Sequence, residues 1–211
     1  MWPIVGALAA DRHEVLAPTL PGHGSTPEDL IAATWQLWLD SARSWPADVV
    51  VGQSMGAVLA LALAAEGGCR AVVAINPLAA DPDAIDGLEW RMSRGHEWLD
   101  VAPSTVREMA YERLPLTALL AMHAGVAGVV LGDVKVPVLV VTSGADDVVD
   151  PASSDVVAGA LSGSVERLLL PTSGHVATLD RDRDRLCSAV LRFVRRTTVT
   201  TKPKSDDAGG G

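Results

Sequence analysis

Cysteine, tyrosine and phenylalanine are scarce in this sequence. Its 211 residues include two cysteines, one tyrosine and one phenylalanine, although there are six tryptophans. Cys69 and Cys187 lie far apart and lack the paired spacing of a metal-binding motif, so we interpret them as reduced thiols of the core. This usage argues against a disulfide framework, is typical of a cytoplasmic protein and predicts neither a metal nor a cofactor.

The sequence also lacks a long apolar run and an excess of positive charge. No window is apolar over the roughly 18 residues that a membrane-spanning helix needs, although 48% of the residues are hydrophobic. We therefore assign the apolar residues to a buried core and expect no stable membrane insertion. The formal net charge of −9 disfavours nucleic acid and anionic membranes as partners.

Short runs rich in valine and isoleucine alternate with helical patterns along most of the chain. Such alternation favours an α/β fold with a mainly parallel sheet that helices cover on both faces, here in one domain of residues 1–196. We expect strands at residues 13–20, 48–51, 71–75, 136–142 and 165–170, and helices at residues 2–10, 27–45, 57–65, 151–161 and 178–196.

Two segments interrupt this rhythm. Residues 78–125 contain helical patterns but no valine-rich strand, and we interpret them as a helical lid inserted between two strands of the sheet. Residues 197–211 are polar and end in glycines, so we expect a disordered tail. The Arg/Asp run at 181–185 is interpreted as the solvated face of the last helix.

One short motif, Gly52-Gln53-Ser54-Met55-Gly56, stands between a predicted strand and a predicted helix. In this context G-x-S-x-G predicts a tight turn that exposes a nucleophilic serine, and we expect both glycines to relieve clashes there. Met55, at the start of the helix, would donate its backbone N–H to an oxyanion. The alternative interpretation of the same pattern is a glycine-rich strand-to-helix turn with no catalytic role.

Three reactive side chains follow three different predicted strands. Ser54 comes first, then an acid at position 146 or 147, then His175, and loops after parallel strands meet at one edge of the sheet. Such a set predicts a serine nucleophile, a histidine base and an orienting aspartate. The other histidines, at positions 13, 23, 96 and 123, are expected to be solvated or structural.

The chain resembles the bacterial carboxylesterase and monoacylglycerol lipase branch of the α/β-hydrolases. The stretches that carry the resemblance are APTLPGHG (17–24) with PEDL (27–30), VVVGQSMGA (49–57), PVLVVTSGADDVVDP (137–151) and SGHVATLDRDRDRL (173–186). The family pattern after the acid selects Asp146 and leaves Asp150 to cap the next helix.

This resemblance implies an α/β-hydrolase fold and a serine esterase that acts on a small-molecule ester through an acyl-enzyme on Ser54. The apolar acyl chain would lie against the lid, where we expect Trp90, Trp98, Leu119 and Met122 to line its site.

The family pattern also contains a strand ending in His-Gly before the first helix, and the present sequence begins after that point. We therefore expect an N-terminally incomplete fold whose second oxyanion donor is not among these residues. The alternatives are another α/β-hydrolase reaction (thioesterase, lactonase or C–C hydrolase) or an inactive truncated hydrolase.

Overall fold

The described part of the chain contains thirteen helices and strands and three short 3₁₀ turns, joined by loops. The computed structural model describes residues 1–102, 106 and 110–199. In chain order the elements are α1 (Trp2–Ala10), α2 (Trp35–Arg43), β1 (Val49–Gln53), α3 (Met55–Ala65), β2 (Ala71–Ile75), α4 (Pro82–Ser93), β3 (Trp98–Asp100), β4 (Arg113–Pro115), α5 (Leu116–Ala127), β5 (Val138–Ser143), α6 (Ala152–Ala160), β6 (Val165–Leu170) and α7 (Arg183–Val199).

A four-stranded sheet in the order β1-β2-β5-β6 forms the centre of the fold, and every neighbouring pair in it is parallel. The predicted parallel sheet is thus confirmed. Every residue of β2 and β5 is buried. This burial explains the continuous apolar runs at residues 71–75 and 138–141, since a central strand needs apolar residues on both faces.

Helices cover both faces of the sheet. On one face, Val73 and Ile75 of β2 pack with Ile4 of α1 and Phe193 of α7. On the other face, Val72 and Ala74 pack with residues of α3 and α6 such as Leu61 and Val157. Successive strand residues point to opposite faces, so one strand contributes to both cores. Helices α2, α3 and α5 share a third cluster that contains Trp38, Leu59 and Ala118.

Residues 13–20 differ from the sequence expectation of a buried strand. They form no strand, and each is exposed or half-buried. Val15 packs against the cluster that contains Phe193, and Leu20 packs against the cluster that contains Trp38. The two side chains therefore contribute to different parts of the core. A strand also needs a hydrogen-bonded neighbour, which a local sequence pattern does not reveal.

The predicted helix over residues 27–45 is two separate pieces. A 3₁₀ turn occupies Pro27–Leu30, and α2 begins only at Trp35. Thr34 explains the break, because its backbone is extended (φ −128°, ψ 158°) and its hydroxyl accepts a hydrogen bond from Leu37 N at 3.1 Å. Threonine in this role begins a new helix rather than continuing an old one.

The last helix is shifted towards the C-terminus. A 3₁₀ turn occupies Ala177–Leu179, and α7 runs from Arg183 to Val199. The expectation of disorder from residue 197 is therefore wrong for residues 197–199. There the hydroxyl of Thr197 donates to the carbonyl of Phe193 at 3.0 Å, so this polar side chain bonds to the backbone of the helix. Residues 200–211 of the expected tail lie outside the described residues.

The segment between β2 and β5, where we expected helical stretches without giving their number or bounds, contains the helices α4 and α5 and also the antiparallel pair β3–β4. Strands of three residues are too short for alternation to reveal them. Residues 103–105 and 107–109 of this segment lie outside the described ranges. Its role as a lid stays a prediction. Within the described ranges, no helix combines the length and apolarity needed to cross a membrane.

Both cysteines are free thiols. Cys69 is buried beside β2, and this burial raises its pKa to about 11. Cys187 is half-buried in α7 and packs against the cluster that contains Phe193, and this burial also raises its pKa. A thiol with a raised pKa is a poor nucleophile at neutral pH, so neither competes with Ser54 as a candidate reactive group.

Candidate active site

The carboxyl ends of the four parallel strands place Ser54, Asn76, Asp146 and His175 at one edge of the sheet. Ser54 directly follows β1 and Asn76 directly follows β2, while Asp146 and His175 lie in the loops after β5 and β6. This edge is where ligands bind in open parallel sheets. It is therefore the candidate active site.

Ser54 is the single residue between β1 and α3, and its backbone is strained (φ 55°, ψ −124°). Its N–H donates to the carbonyl of Ile75 at 2.8 Å, and its carbonyl accepts from Ala57 N at 2.9 Å. These bonds hold the serine to the neighbouring strand on one side and to the helix on the other. A positive φ is costly for serine and is found mainly at functional sites.

Met55 is the first residue of α3. The N–H groups of the first helical turn have no acceptor within the helix, and the helix dipole adds partial positive charge there. The backbone N–H of Met55 is thus suited to bind an oxyanion, as the sequence predicts. This role stays a prediction.

The two glycines of the motif have different roles. A Cβ at Gly52 would lie 2.0 Å from the carbonyl oxygen of Gly56 and 2.6 Å from Ala57 N, so a larger residue there would push α3 off the strand. A Cβ at Gly56 would meet nothing within 4 Å beyond its own helix backbone and chain neighbours. The expectation that both glycines relieve a clash is right for Gly52 and wrong for Gly56.

Gly52→Ala is therefore expected to destabilise the fold by about 3 kcal/mol or more, because backbone atoms cannot move aside as a flexible side chain can. Gly56→Ala, the matched control on the same turn, is expected to stabilise it by roughly 0.5–1 kcal/mol through its helix propensity. Urea unfolding of both variants measures the difference. Equal midpoints for the two variants would refute this steric account.

His175 and Asp146 form a close pair. The imidazole Nδ1 lies 2.9 Å from Oδ2 and 3.1 Å from Oδ1 of Asp146. The Asp146 side chain is 3% exposed and that of His175 15% exposed. Asp146 Oδ1 also accepts from the backbone N–H groups of Val148 and Val149, each at 2.9 Å. These two bonds hold the carboxylate in place independently of the histidine.

The charge of Asp146 determines the tautomer of His175. Burial raises the pKa of this carboxyl, but the hydrogen bonds from His175, Val149 and Val148 outweigh burial and leave the pKa below its ordinary value of 3.8. At neutral pH the group is a carboxylate, which can only accept hydrogen bonds. A neutral imidazole that faces this carboxylate therefore carries its proton on Nδ1 and has a lone pair on Nε2. The pairing stabilises the fold above about pH 4 and is lost as pH falls through the lowered pKa.

The neighbouring acids are placed differently. Asp147 is exposed. Asp150 accepts from Ala152 N at 2.8 Å, in the first turn of α6, as expected for a helix cap. Of the three acids at 146, 147 and 150, the structure brings only Asp146 to the imidazole.

Two further acids hold the loop that carries His175. Asp180 Oδ2 accepts from Gly174 N at 2.8 Å. Asp182 Oδ2 accepts from the N–H and hydroxyl of Thr172, both at 2.9 Å, and from the hydroxyl of Ser173 at 3.0 Å. The interpretation of the 181–185 run as a solvated face is therefore wrong for Asp182. The sequence signal was the position of these acids a few residues after the loop that they bind.

Asn76 is a further residue that sequence reasoning did not identify as part of the site. It is 2% exposed and has a positive φ of 47°. The sequence analysis places it only as the first residue after the strand expected over residues 71–75. A polar residue that directly follows a buried strand, at the same edge as Ser54, was the signal available.

The other histidines lie in different surroundings. His13 pairs with Asp11 at 3.2 Å, and His96 is exposed. His23 Nδ1 lies 3.2 Å from the carbonyl of Pro21, and its ring packs edge-on against Trp38. His123 is half-buried in α5, and this burial lowers its pKa.

The four residues expected to line the acyl site all retain exposed surface. Trp90 is 58% exposed and stacks with the guanidinium of Arg94, while Trp98 stacks with that of Arg113. Leu119 and Met122 are half-buried on α5. Their part in substrate binding stays a prediction. Among the described residues, no group of three or more histidine, cysteine, aspartate or glutamate side chains is arranged to hold a metal ion.

Comparison with known proteins adds independent information. The sequence profile of the alpha/beta hydrolase family matches residues 1–189. A thermostable monoacylglycerol lipase from Bacillus sp. (strain H-257) is 31% identical over 212 aligned positions, which cover 92% of this chain and 84% of the lipase.

Solved structures are also similar. A structure from a study of two metagenome-derived lipolytic enzymes, LipS and LipT, superposes with a TM-score of 0.83 at 28% identity and covers 92% of this chain and 86% of that one. A monoacylglycerol lipase from Paleococcus ferrophilus superposes with a TM-score of 0.69 at 16% identity over 92% of this chain and 88% of its own, a likeness that shows the fold alone.

Proposed function

The chain belongs to the alpha/beta hydrolase family and is a carboxylic ester hydrolase of that family, and we propose that it acts on monoacylglycerols through an acyl-enzyme formed on Ser54. The observation that carries the proposal is the part-buried, hydrogen-bonded pair of His175 Nδ1 and Asp146 at the sheet edge where Ser54 occupies its strained turn. This combination supplies a base, a group that orients the base and a serine on one surface.

The first half of the reaction transfers the acyl group to the enzyme. Nε2 of His175 accepts the hydroxyl proton of Ser54 while Oγ attacks the ester carbonyl carbon. Asp146 stabilises the imidazolium cation that forms, and its carboxylate keeps the ring proton on Nδ1. The imidazolium then donates its proton to the glycerol oxygen, the ester C–O bond breaks, and the alcohol leaves.

The oxyanion of the tetrahedral intermediate needs donors that are in place before the reaction begins. The N–H of Met55, at the N-terminus of α3, is our assignment for one of them. Each such donor contributes roughly 10²- to 10³-fold to the rate.

The second half of the reaction releases the acid. His175 accepts a proton from a water molecule, which attacks the acyl carbonyl, and then returns the proton to Ser54 Oγ as the acyl–oxygen bond breaks. The same base serves both halves, so an unreactive His175 would stop acylation and deacylation alike.

The apolar acyl chain needs an apolar surface outside the packed core. Trp90, Trp98, Leu119 and Met122 are our candidates, because each is exposed or half-buried and so has apolar surface available to a ligand. All four lie in the segment between β2 and β5, which is the segment we assign as the lid.

A substrate panel with an active-site label tests the proposal. We expect hydrolysis of p-nitrophenyl butyrate and 1-monobutyrin, and stoichiometric labelling by a fluorophosphonate that peptide mapping places on Ser54. A butyryl thioester and a lactone in the same panel address the other reactions that this family performs. A preference for either over 1-monobutyrin would change the substrate class, and a folded chain that neither labels nor hydrolyses any of them would reject the function.

A further inference from the structure

We propose that Asn76 is a positioning residue for the reaction, because it ties the main chain of His175 to the end of the strand that also holds Ser54. The proposal rests on the proposed function, in which His175 is the general base. Asn76 touches neither the imidazole ring nor the serine hydroxyl in the contacts that follow, so it acts through the backbone of the residues that do the chemistry.

The contacts of the Asn76 side chain join two loops of the site. Nδ2 donates to the carbonyl of His175 at 2.9 Å and to the hydroxyl of Ser143 at 3.0 Å. Oδ1 accepts from Ser143 N at 2.8 Å. One amide therefore bonds both the loop that carries the base and the last residue of β5, from which the Asp146 loop departs.

Its position along the chain connects the same amide to Ser54. The carbonyl of Ile75 accepts from Ser54 N at 2.8 Å, and the next residue, Asn76, donates to His175. Two successive residues at the end of β2 therefore hold the main chains of the proposed nucleophile and the proposed base. The sequence separation between Asn76 and His175 is 99 residues, so this bond is a tertiary link and not a local turn.

The chemistry of the partners permits only one orientation of the amide. The carbonyl of His175 can only accept and the N–H of Ser143 can only donate, so an inverted amide would face both partners with the wrong group. A carboxylate would place negative oxygen against the His175 carbonyl. Because Asn76 is 2% exposed and Ser143 is fully buried, water cannot easily replace a lost bond.

The backbone conformation also suits asparagine. The φ of Asn76 is 47°, in the left-handed region that asparagine, aspartate and glycine adopt more readily than other residues. Substitution by aspartate or glycine therefore changes the side chain without adding backbone strain, which makes these two residues the appropriate test variants.

His175 is thus held at two places, once by its ring and once by its main chain. Asp146 holds Nδ1, and Asn76 holds the carbonyl of the same residue. Without the second contact the histidine can pivot about its carboxylate partner and carry Nε2 away from Ser54. A displacement of about 1 Å in a catalytic group can cost on the order of 10²-fold in rate.

The experiment compares Asn76→Asp, Asn76→Gly and the control Ser143→Ala in the ester assay, with rates expressed per site titrated by the fluorophosphonate. We expect kcat per site to fall about 10- to 100-fold in both Asn76 variants, with KM changed less than about threefold. Ser143→Ala removes the hydroxyl partner but leaves the bond to His175, so we expect its kcat per site to stay within about threefold of the parent.

The pH profile separates the two Asn76 variants. A carboxylate at position 76 stabilises the imidazolium of His175, so the acidic limb of kcat/KM should move to higher pH in Asn76→Asp. Asn76→Gly introduces no charge and should leave the limb in place. A pH profile that moves with the charge supports an effect on the base, which a loss of folded protein alone would not produce.

Three results would overturn the proposal. The first is an unchanged kcat per site in both Asn76 variants with fewer titratable sites, which would mean that Asn76 serves only the fold. The second is an equal loss in Ser143→Ala. The third is a parent protein that does not label at all, and only this result would also reject the proposed function.

Discussion

Replacement of Ser54 by alanine is expected to lower the rate of p-nitrophenyl butyrate hydrolysis by about 10⁴- to 10⁶-fold. The loss is large because no acyl-enzyme can form without the hydroxyl. His175 and the Met55 N–H would remain, so a small residual rate above that of water is expected. Steady-state assays with purified protein measure the difference, and Ser162→Ala, an exposed serine after α6, is the matched control.

Ser54→Gly makes this test independent of folding. The serine has φ 55° and ψ −124°, a conformation that glycine accepts without strain. Ser54→Gly is therefore expected to be as inactive as Ser54→Ala but more stable than the parent by about 1 kcal/mol. Thermal and urea unfolding measure the stability. Activity within tenfold of the parent in either variant would remove Ser54 from the mechanism.

Asp146→Asn is expected to lower kcat by about 10³- to 10⁴-fold. An asparagine keeps an oxygen for the N–H groups of Val148 and Val149, so the loop should stay in place. Its amide N–H₂ would then face Nδ1 of His175 and favour the tautomer with the proton on Nε2. That tautomer has no lone pair available for the serine proton.

Asp147→Asn is the matched control for this prediction. It changes the same charge at the adjacent position, but Asp147 is exposed, and we expect kcat within about twofold of the parent. Rates of both variants, normalised to fluorophosphonate-titrated sites, provide the comparison. Similar losses at the two positions would point to a general electrostatic effect and would contradict the assigned role of Asp146.

Local patterns predicted the scaffold of the site well. The strands over residues 71–75 and 165–170 have the predicted bounds, because short Val-, Ile- and Leu-rich runs between helices have few alternatives in a parallel sheet. The strand–turn–helix unit around Ser54 could also be predicted from the sequence, since all of its parts lie within a few residues of one another. Family resemblance, and not periodicity, selected Asp146 over Asp147.

The predictions that failed depend on partners elsewhere in the chain. Residues 13–20 have the composition of a strand but no strand pairing in the described structure. Gly56 resembles Gly52 in the motif, yet only Gly52 lies against backbone atoms. Asp182 lies in a charged run, and its use in holding the His175 loop depends on how that loop folds back.

The sequence by itself thus determined the parallel α/β scaffold, the turn that presents Ser54 and the candidacy of His175, because these follow from local periodicity and motif spacing. Residue patterns left the acid at position 146 or 147 open, and the family resemblance selected Asp146. Only the tertiary structure showed that this carboxylate contacts the imidazole and that Asn76 joins the two loops. The Asp146–His175 contact spans 29 residues and the Asn76–His175 contact spans 99. Hydrogen bonds across such distances depend on where the strands lie in the sheet, which no short stretch of sequence specifies.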